Sequence, residues 1–224
     1  MAVRIAPSIL SADFAALAAA VDAVSPESDL LHVDVMDGHF VPNLTIGPPV
    51  VASLRKHTDL YLDCHLMITD PADYLEAFRK AGADGCSVHV EIGGTDDLIE
   101  QMRGLGLDVG LAVNPDTPYE AYEPFLDRLD LLLLMTVFPG FGGQSFIAEV
   151  MDKVRRTRDE LDRRGLALPI QVDGGINEET ARVAAEAGAT VFVAGNAVFR
   201  AADPADAARR IRRAAEAACS APRS

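Results

Sequence analysis

Apolar positions along the chain occur in short runs, and helix-like segments separate these runs. One unit recurs: a helix-like stretch ends in glycine, a linker follows, and an apolar strand begins, as in KAGADGCSV (80–88), GLGLDVGLAV (104–113), RRGLALPIQV (163–172) and EAGATVFVA (186–194). Glycine directly after a helix is typical of a left-handed C-terminal cap. The runs are rich in Val, Ile and Leu and barely alternate with polar residues, as in strands that are buried on both faces. The pattern therefore predicts buried strands that alternate with helices.

The same pattern predicts about eight strands. They lie near residues 3–9, 30–36, 60–66, 85–90, 108–113, 130–137, 169–173 and 191–194. Strict alternation of strand and helix implies a parallel sheet. Eight such units in 224 residues fit a compact (β/α)8 TIM barrel, which we expect to span residues 1–224 as a single domain. The alternative, an open doubly wound sheet, usually has fewer strands and often a glycine-rich turn after the first strand, whereas this chain has PSILSAD there.

Three positions carry helix start signals. Asp70-Pro71 and Asp203-Pro204 each combine an N-cap residue with proline at the first helical position. Asn177 precedes a segment whose first turn contains two glutamates, where the helix dipole favours negative charge. At the C-terminus, we expect the tail from about residue 219 to be disordered.

Charge and composition narrow the possible partners and location. The chain has 20 Lys and Arg against 34 Asp and Glu, a net charge of −14, and such a surface repels nucleic acid and anionic membranes. Backbone amides can still bind a phosphate locally. No apolar run reaches the roughly 18 residues of a membrane span, and the N-terminus does not resemble a signal peptide. Three scattered cysteines are typical of reduced thiols, which predicts a cytoplasmic protein.

Polar side chains lie within the strands LHVDVM (31–36), DCHLM (63–67) and QVD (171–173). Alternate residues of a strand share a face. If the polar faces point into the barrel, four side chains converge near the mouth where barrel active sites lie: His32, Asp34, His65 and Asp173. Two imidazoles and two carboxylates suit a divalent transition metal, with Zn, Fe(II), Mn and Co all possible. Asp63 could orient a ligand or have a structural role.

Three glycine-rich loops follow strands six, seven and eight: FPGFGGQSF (138–146), DGGIN (173–177) and AGNAVF (194–199). Backbone amides can approach an anion closely at glycine, and the loops after strands seven and eight commonly form a phosphate site in this barrel class. Amides of Gly174, Gly175, Gly195 and Asn196 are therefore candidate phosphate donors, although tight strand-to-helix turns would look similar. The longer GFGG loop could act as a lid. Met36, Met67 and Met135 also fall at strand ends, either as adaptable core residues or as a thioether lining of the site.

Together these segments resemble the ribulose-phosphate 3-epimerase family over nearly the whole chain. The motifs are SILSADF (8–14), HVDVMDGHFVPN (32–43), DCHLMI (63–68), MTVFPGFGGQSF (135–146), VDGGIN (172–177) and AGNAVF (194–199). The resemblance implies a barrel that interconverts D-ribulose 5-phosphate and D-xylulose 5-phosphate, a small-molecule sugar phosphate, and that associates as a homo-oligomer. Two positions depart from the family pattern: Asn196, where serine is frequent, and Phe138, where asparagine or glutamate is common.

The resemblance also implies roles for individual residues. One divalent transition metal per subunit would be held by His32, Asp34, His65 and Asp173, and Asp34 and Asp173 would be the catalytic acid and base. Ser8 and His65 would contact the substrate. The remaining substrate and phosphate contacts would come from Gly140, Phe141, Gly142, Gly143, Asp173, Gly174, Gly175, Gly195 and Asn196.

Inversion at C3 of a 2-keto sugar requires removing a proton from one face and returning a proton to the other. Two carboxylates on opposite sides of the substrate can do this, one as base and one as acid. The sequence leaves three alternatives open. These are an epimerase for a six-carbon ketose phosphate such as allulose 6-phosphate, a metal-assisted aldolase or synthase, and a barrel that binds sugar phosphates without catalysis. The last two have less need of a carboxylate pair.

Overall fold

In the computed structural model of the protein, which describes residues 2–219, eight parallel strands pair in the order β1-β8-β7-β6-β5-β4-β3-β2. The strands are β1 (Arg4–Pro7), β2 (Leu30–Met36), β3 (Tyr61–Met67), β4 (Gly85–His89), β5 (Asp108–Val113), β6 (Leu131–Met135), β7 (Ile170–Asp173) and β8 (Val191–Ala194). A parallel bridge between Ser8 and His32 brings the two ends of the sheet together. The predicted (β/α)8 barrel is confirmed, with each strand within two residues of its predicted bounds.

Within the described residues, α-helices follow seven of the eight strands, and two of them follow β8. They are α1 (Leu17–Val24), α2 (Pro48–Arg55), α3 (Leu75–Ala81), α4 (Thr95–Gly104), α5 (Val150–Arg164), α6 (Glu178–Ala187), α7 (Asn196–Phe199) and α8 (Pro204–Cys219). The alternation fails once, because two short 3-10 helices (Tyr119–Ala121 and Glu123–Arg128) connect β5 to β6. Proline at 115, 118 and 124 removes backbone donors from this segment, which disfavours a regular α-helix.

The predicted helix starts have different outcomes. Asn177 caps α6, because its side chain accepts from the backbone N–H of Glu179 and Thr180. The Asp203 carboxylate accepts from the backbone N–H of Asp206 at the start of α8. The prediction at Asp70 was wrong: a 3-10 turn (Pro71–Asp73) follows it without a side-chain cap, and α3 begins only at Leu75.

The barrel is packed differently on its two surfaces. Between strands and helices lies one large apolar cluster that includes Val33, Cys64 and Leu132. Inside the barrel, a smaller apolar cluster containing Leu30, Leu131 and Val191 occupies the end where the strands begin. Towards the opposite end, the interior holds the polar side chains of β2, β3, β4 and β7 together with Met36, Met67 and Met135.

Two expectations concern the ends of the chain and membranes. Residues 220–224, where most of the expected disordered tail falls, lie outside the described residues, and Cys219 is the last residue of α8. Within residues 2–219, no helix combines the length and the apolar character needed to cross a bilayer.

Candidate active site

Four polar side chains converge at the end of the barrel where the strands terminate. His32 and Asp34 extend from β2, His65 from β3, and Asp173 is the last residue of β7. One ligand atom from each of the four lies within 4.8 Å of the others. Both imidazoles are completely buried, and the Asp173 side chain is 17% exposed. The structure thus brings together the four residues that strand alternation predicted, and the cluster could hold a metal ion.

The register between β2 and β3 explains this convergence. His32 pairs with Asp63 and Asp34 pairs with His65 across the two parallel strands. Since all four residues point into the barrel, two carboxylates and two imidazoles stack in adjacent layers. Asp63 lies below the cluster, where its Oδ2 contacts His32 Nδ1 at 2.8 Å and accepts from the Gln171 amide at 2.8 Å. Asp63 therefore orients His32, which is the first of the two roles that the sequence left open.

The hydrogen bonds of His32 test whether the cluster suits a cation. Because the Asp63 carboxylate only accepts, His32 Nδ1 donates to it. The other nitrogen, Nε2, is buried and has no hydrogen-bond partner among residues 2–219, although it lies 3.3 Å from Asp34 Oδ1 and 3.8 Å from Asp173 Oδ2. A buried nitrogen that faces two carboxylates is unfavourable unless a proton or a metal ion lies between them. The donor set therefore fits a divalent metal.

His65 and Ser8 complete the contacts of Asp34. His65 Nδ1 lies 3.2 Å from Asp34 Oδ1 and 3.9 Å from Asp173 Oδ2. The Ser8 hydroxyl donates to Asp34 Oδ2 at 2.5 Å. Asp34 is thus held by His65 on one side and Ser8 on the other, whereas the Asp173 carboxylate has the two imidazoles at 3.8 and 3.9 Å and the like-charged Asp34 nearby. Because the two carboxylates have different neighbours, their pKa values differ.

Burial and neighbouring charges separate the pKa values of the two carboxyl groups. Burial opposes ionisation of Asp34, but His32 and His65 outweigh it and hold the Asp34 pKa well below its usual range. Burial and then the charge of Asp34 raise the pKa of Asp173 to about 7. Burial also lowers the pKa of His65 to about 4, whereas Asp34 and Asp63 overcome burial to raise the pKa of His32. Without a bound metal ion, Asp34 is therefore ionised and the Asp173 pKa lies near neutral pH, a separation that is typical of an acid and base pair.

A cleft opens above these side chains, and it contains most of the predicted substrate residues. Its lining includes Ser8, Asp34, Met36, Met67, Met135, Gly140, Phe141, Gly142, Gly143, Asp173, Gly174, Gly175, Gly195 and Asn196. His65 does not line the cleft and is completely buried, so the structure does not place it with the other predicted substrate residues. The three methionines combine both interpretations offered by the sequence, since each is at most 5% exposed and also faces the cleft.

Close backbone approaches shape the glycine-rich end of the cleft. Gly174 and Gly175 have φ values of +122° and +68°, which strongly favour glycine. A Cβ atom on Gly174 would lie 2.5 Å from a methyl group of Val137, and one on Gly195 would lie 2.4 Å from the Ser11 hydroxyl oxygen. In the described part of the chain, no lysine or arginine lines the cleft. An anion at this end would therefore be bound by backbone amides and small polar side chains.

The loop over residues 138–146 forms one wall of the cleft. Phe138 and Phe141 are 50% and 55% exposed, so this wall presents two aromatic rings to solvent. The Gln144 amide donates to the backbone carbonyls of both residues, and Asn43 donates to the carbonyl of Gly140 at 2.8 Å. These hydrogen bonds hold the loop beside the opening of the cleft, and its role as a lid stays a prediction.

Sequence reasoning missed several residues of the site. Ser11 and Gln144 line the cleft, and His89 contacts His65 from β4 with 2.8 Å between their Nε2 atoms. A signal existed for each of them. Ser11 follows Ser8 within SILSADF, Gln144 belongs to GFGGQ, and His89 ends the fourth strand on the same face as Ser87.

Comparisons with known proteins agree on the family and the fold. Residues 4–199 match the model of the ribulose-phosphate 3 epimerase family. The chain is 48% identical over 221 residues to the cytoplasmic isoform of ribulose-phosphate 3-epimerase from Oryza sativa subsp. japonica, covering 96% of this chain and 95% of the relative. It is 50% identical over 216 residues to ribulose-phosphate 3-epimerase from Bacillus subtilis, covering 94% and 98%.

Among solved structures, the barrel is similar to KGPDC from Streptococcus mutans (TM-score 0.73, 16% identity, 96% of this chain and 97% of that chain). It is also similar to 3-hexulose-6-phosphate synthase from Salmonella typhimurium (TM-score 0.71, 18% identity, 96% and 99%). At such identities the structural likeness supports the fold alone. The match to the family model and the relatives at about half identity show that this chain belongs to the ribulose-phosphate 3 epimerase family.

Proposed function

We propose that the protein is an isomerase that interconverts D-ribulose 5-phosphate and D-xylulose 5-phosphate by inverting C3. The observation that carries the proposal is the pair of carboxyl groups, Asp34 and Asp173, which meet within 4.8 Å at the base of a cleft with a glycine-rich end. Relatives named ribulose-phosphate 3-epimerase cover nearly the full chain and support this choice of substrate.

In this mechanism the two carboxyl groups exchange protons with opposite faces of C3. The ionised Asp34 removes the C3 proton, and the protonated Asp173 delivers a proton to the other face; in the reverse direction the roles are exchanged. The hydroxyl of Ser8 holds Asp34 in place, and Asp63 orients His32 beneath the pair. A planar enediolate lies between the two proton transfers, and a closed 138–146 loop keeps water away from it.

We further propose that each subunit binds one divalent transition metal, Zn, Fe(II), Mn or Co, through His32, Asp34, His65 and Asp173. A bound ion would supply Lewis-acid stabilisation of the negative charge that develops on the substrate oxygens. The nitrogen of His32 that lacks a partner supports this assignment. Backbone amides at Gly174, Gly175, Gly195 and Asn196 would bind the phosphate.

The experiment is an activity assay on D-ribulose 5-phosphate together with exchange of solvent deuterium into C3. We expect turnover and C3 exchange in the wild type, and loss of both in Asp34→Asn and Asp173→Asn without loss of the fold. An exposed control, Asp159→Asn on α5, should retain activity. Near-normal turnover in either site variant would refute the two-base assignment.

The same assay separates the alternatives. Faster turnover of a six-carbon ketose phosphate would favour allulose 6-phosphate or a similar substrate. Binding without any C3 exchange would favour a non-catalytic barrel, and products of C–C cleavage would favour an aldolase. The carboxyl pair argues against the last two, because neither requires proton transfer on both faces of one carbon.

Three further properties are proposals of the same kind. We propose that the whole chain is one domain, that it forms a homo-oligomer, and that it acts in the cytoplasm. The name of the rice relative and the three scattered cysteines, which show no C-x-x-C pattern, support the location. We also propose that the binding partner is a sugar phosphate. The net charge of −14 argues against nucleic acid and anionic membranes as partners. Sedimentation analysis of the purified chain tests the oligomer.

A further inference from the structure

A line of hydrogen bonds leads from His65 away from the cleft to the outside of the barrel. His65 Nε2 lies 2.8 Å from His89 Nε2, and His89 Nδ1 lies 2.9 Å from Glu91 Oε2. His89 ends β4 and is completely buried, while the Glu91 side chain, in the turn that follows, is 20% exposed. We call His65, His89 and Glu91 the relay. Its last two members have no part in the chemistry proposed above.

The outer end of the relay is fixed by the loop after β5. Glu91 Oε1 accepts from the backbone N–H of Asn114 at 2.8 Å and from the Thr117 hydroxyl. The Lys153 ammonium donates to the carbonyls of Asn114 and Thr117 and so anchors this loop. Burial opposes ionisation of Glu91, but the hydrogen bonds from His89, Thr117 and Asn114 outweigh it and lower its pKa to about 2. Glu91 is therefore an ionised group that only accepts hydrogen bonds.

The protons in the relay can be assigned by following it inwards. Because Glu91 only accepts, His89 Nδ1 must carry a hydrogen and donate it. A histidine that ligates a metal is neutral and uses a nitrogen without hydrogen. His65 presents Nδ1 to Asp34 and Asp173, so its Nε2 carries the hydrogen. That hydrogen needs an acceptor, and His89 Nε2 can accept only if it carries none. One arrangement of hydrogens satisfies every contact: His89 carries its hydrogen on Nδ1, and His65 carries its hydrogen on Nε2.

We propose that His89 and Glu91 are positioning residues that hold His65 as the Nε2–H tautomer, with its Nδ1 lone pair directed at Asp34 and Asp173. The inference rests on the proposed metal site. Neither residue touches substrate, since both lie behind His65 and outside the residues that line the cleft. The Phe40 ring packs against His89 with 4.7 Å between centroids, and this contact helps to fix the imidazole plane.

Glu91→Gln tests the direction of the relay with almost no change in shape. The backbone N–H of Asn114 is a fixed donor, so the glutamine carbonyl must face it and the amide NH2 must face His89 Nδ1. His89 then carries its hydrogen on Nε2 and donates to His65 Nε2, which places the His65 hydrogen on Nδ1. That nitrogen is no longer available to a metal. Loss of such a partner typically lowers metal affinity about 10- to 100-fold.

The experiment measures binding of Zn²⁺ and Co²⁺ to the full chain by competition with a chromophoric chelator. We expect a fall in affinity of about 10- to 100-fold for Glu91→Gln. The control is Glu76→Gln on α3, which removes the same charge from an exposed pair with Lys80 and should bind metal as the wild type does. In the Zn-loaded protein, ¹⁵N spectra of the imidazoles should show His65 protonated at Nε2, and Glu91→Gln should reduce this signal.

Two substitutions of His89 keep the test decisive if Glu91→Gln fails to fold, which circular dichroism would reveal. His89→Gln can place its carbonyl oxygen where His89 Nε2 accepts, and we expect it to retain more metal affinity than His89→Leu, which offers no acceptor. A merely structural role would lower the melting temperature of the metal-free variants without separating their metal affinities.

The outcomes distinguish the relay from the site that it serves. If the wild type binds neither Zn²⁺ nor Co²⁺, the proposed metal site fails. If the wild type binds metal and both Glu91→Gln and His89→Leu bind it equally well, the metal site stands and the relay is overturned. The relay is also overturned if His65 in the Zn-loaded wild type is protonated at Nδ1.

Discussion

The substitution Asp173→Asn should stabilise the metal-free protein, and the gain should depend on pH. In the fold, Asp173 meets Asp34 within 4.8 Å in a buried site, and burial together with the Asp34 charge raises the Asp173 pKa from 3.8 to about 7. An asparagine at this position cannot ionise. It therefore removes an unfavourable interaction that the wild type accepts whenever both carboxyl groups are charged.

Two estimates give the same magnitude. A change in pKa from 3.8 to about 7 corresponds to roughly 4 kcal/mol at about 1.36 kcal/mol for each pKa unit. Two like charges no more than 4.8 Å apart repel by at least about 3.5 kcal/mol at an effective dielectric constant of about 20. We therefore expect a gain of at most about 4 kcal/mol in the free energy of unfolding.

The sign follows from proton binding. Between pH 3.8 and about 7 the folded wild type keeps a proton on Asp173 that the unfolded chain has lost. The free energy of unfolding of the wild type therefore falls as the pH rises through this window because of Asp173. The variant lacks this term, so its advantage should be close to zero at the acidic limit and should reach its full value above pH 7.

Urea unfolding followed by circular dichroism, in the presence of a strong chelator, measures this difference at several pH values. Asp159→Asn serves as the exposed control and should change stability little at any pH. Addition of Zn²⁺ should invert the result, because the wild type gains binding free energy that the variant, lacking one anionic ligand, does not. A gain that is independent of pH, or a wild type that is more stable than the variant above pH 7 without metal, would refute the reasoning.

Three further predictions concern the cleft. Gly174→Ala places a Cβ atom 2.8 Å from the backbone nitrogen of Val137, at a residue with a φ of +122°. The substitution should therefore destabilise the protein by about 1–3 kcal/mol and raise KM, and unchanged urea unfolding and kinetics would contradict this. Asn43→Ala loses the hydrogen bond to the carbonyl of Gly140 and should raise KM about 5-fold, corresponding to about 1 kcal/mol, with little effect on the melting temperature. Removal of metal with a chelator should abolish turnover, and Zn²⁺ or Co²⁺ should restore it; full activity of metal-free protein in a direct assay would count against the metal site.

The site could be predicted from sequence because it depends on few geometric variables. Strand alternation fixes which side chains share a face, and parallel pairing puts strand ends at one rim. His32, Asp34 and His65 follow from these two rules alone, and the register of β2 on β3 adds only the detail that Asp34 faces His65. The catalytic and binding roles of these residues came from the family resemblance, because neither strand alternation nor parallel pairing assigns a role.

Features that depend on loop conformation were harder to predict. Asp70-Pro71 has the composition of a helix start, but the chain makes a 3-10 turn there, and the sequence does not show which of the two structures packing will favour. The contact of Glu91 with Asn114 requires the turn after β4 and the loop after β5 to meet, 23 residues apart in sequence. His89, in contrast, could have been placed inside the barrel by the alternation that placed His65.

The barrel tolerates this cluster because its stability comes from elsewhere. The apolar cluster between strands and helices draws on all eight strands, whereas the polar residues occupy only the interior near one rim. Replacing Asp173 by asparagine should make the metal-free fold more stable while it removes a metal ligand and an acid. The unfavourable carboxyl pair is therefore retained against stability, as expected for a group required by function. By the same reasoning, His89 and Glu91 are polar residues behind His65 at a place where apolar residues would suffice for packing. Their presence there is best explained by a role in orienting the His65 imidazole.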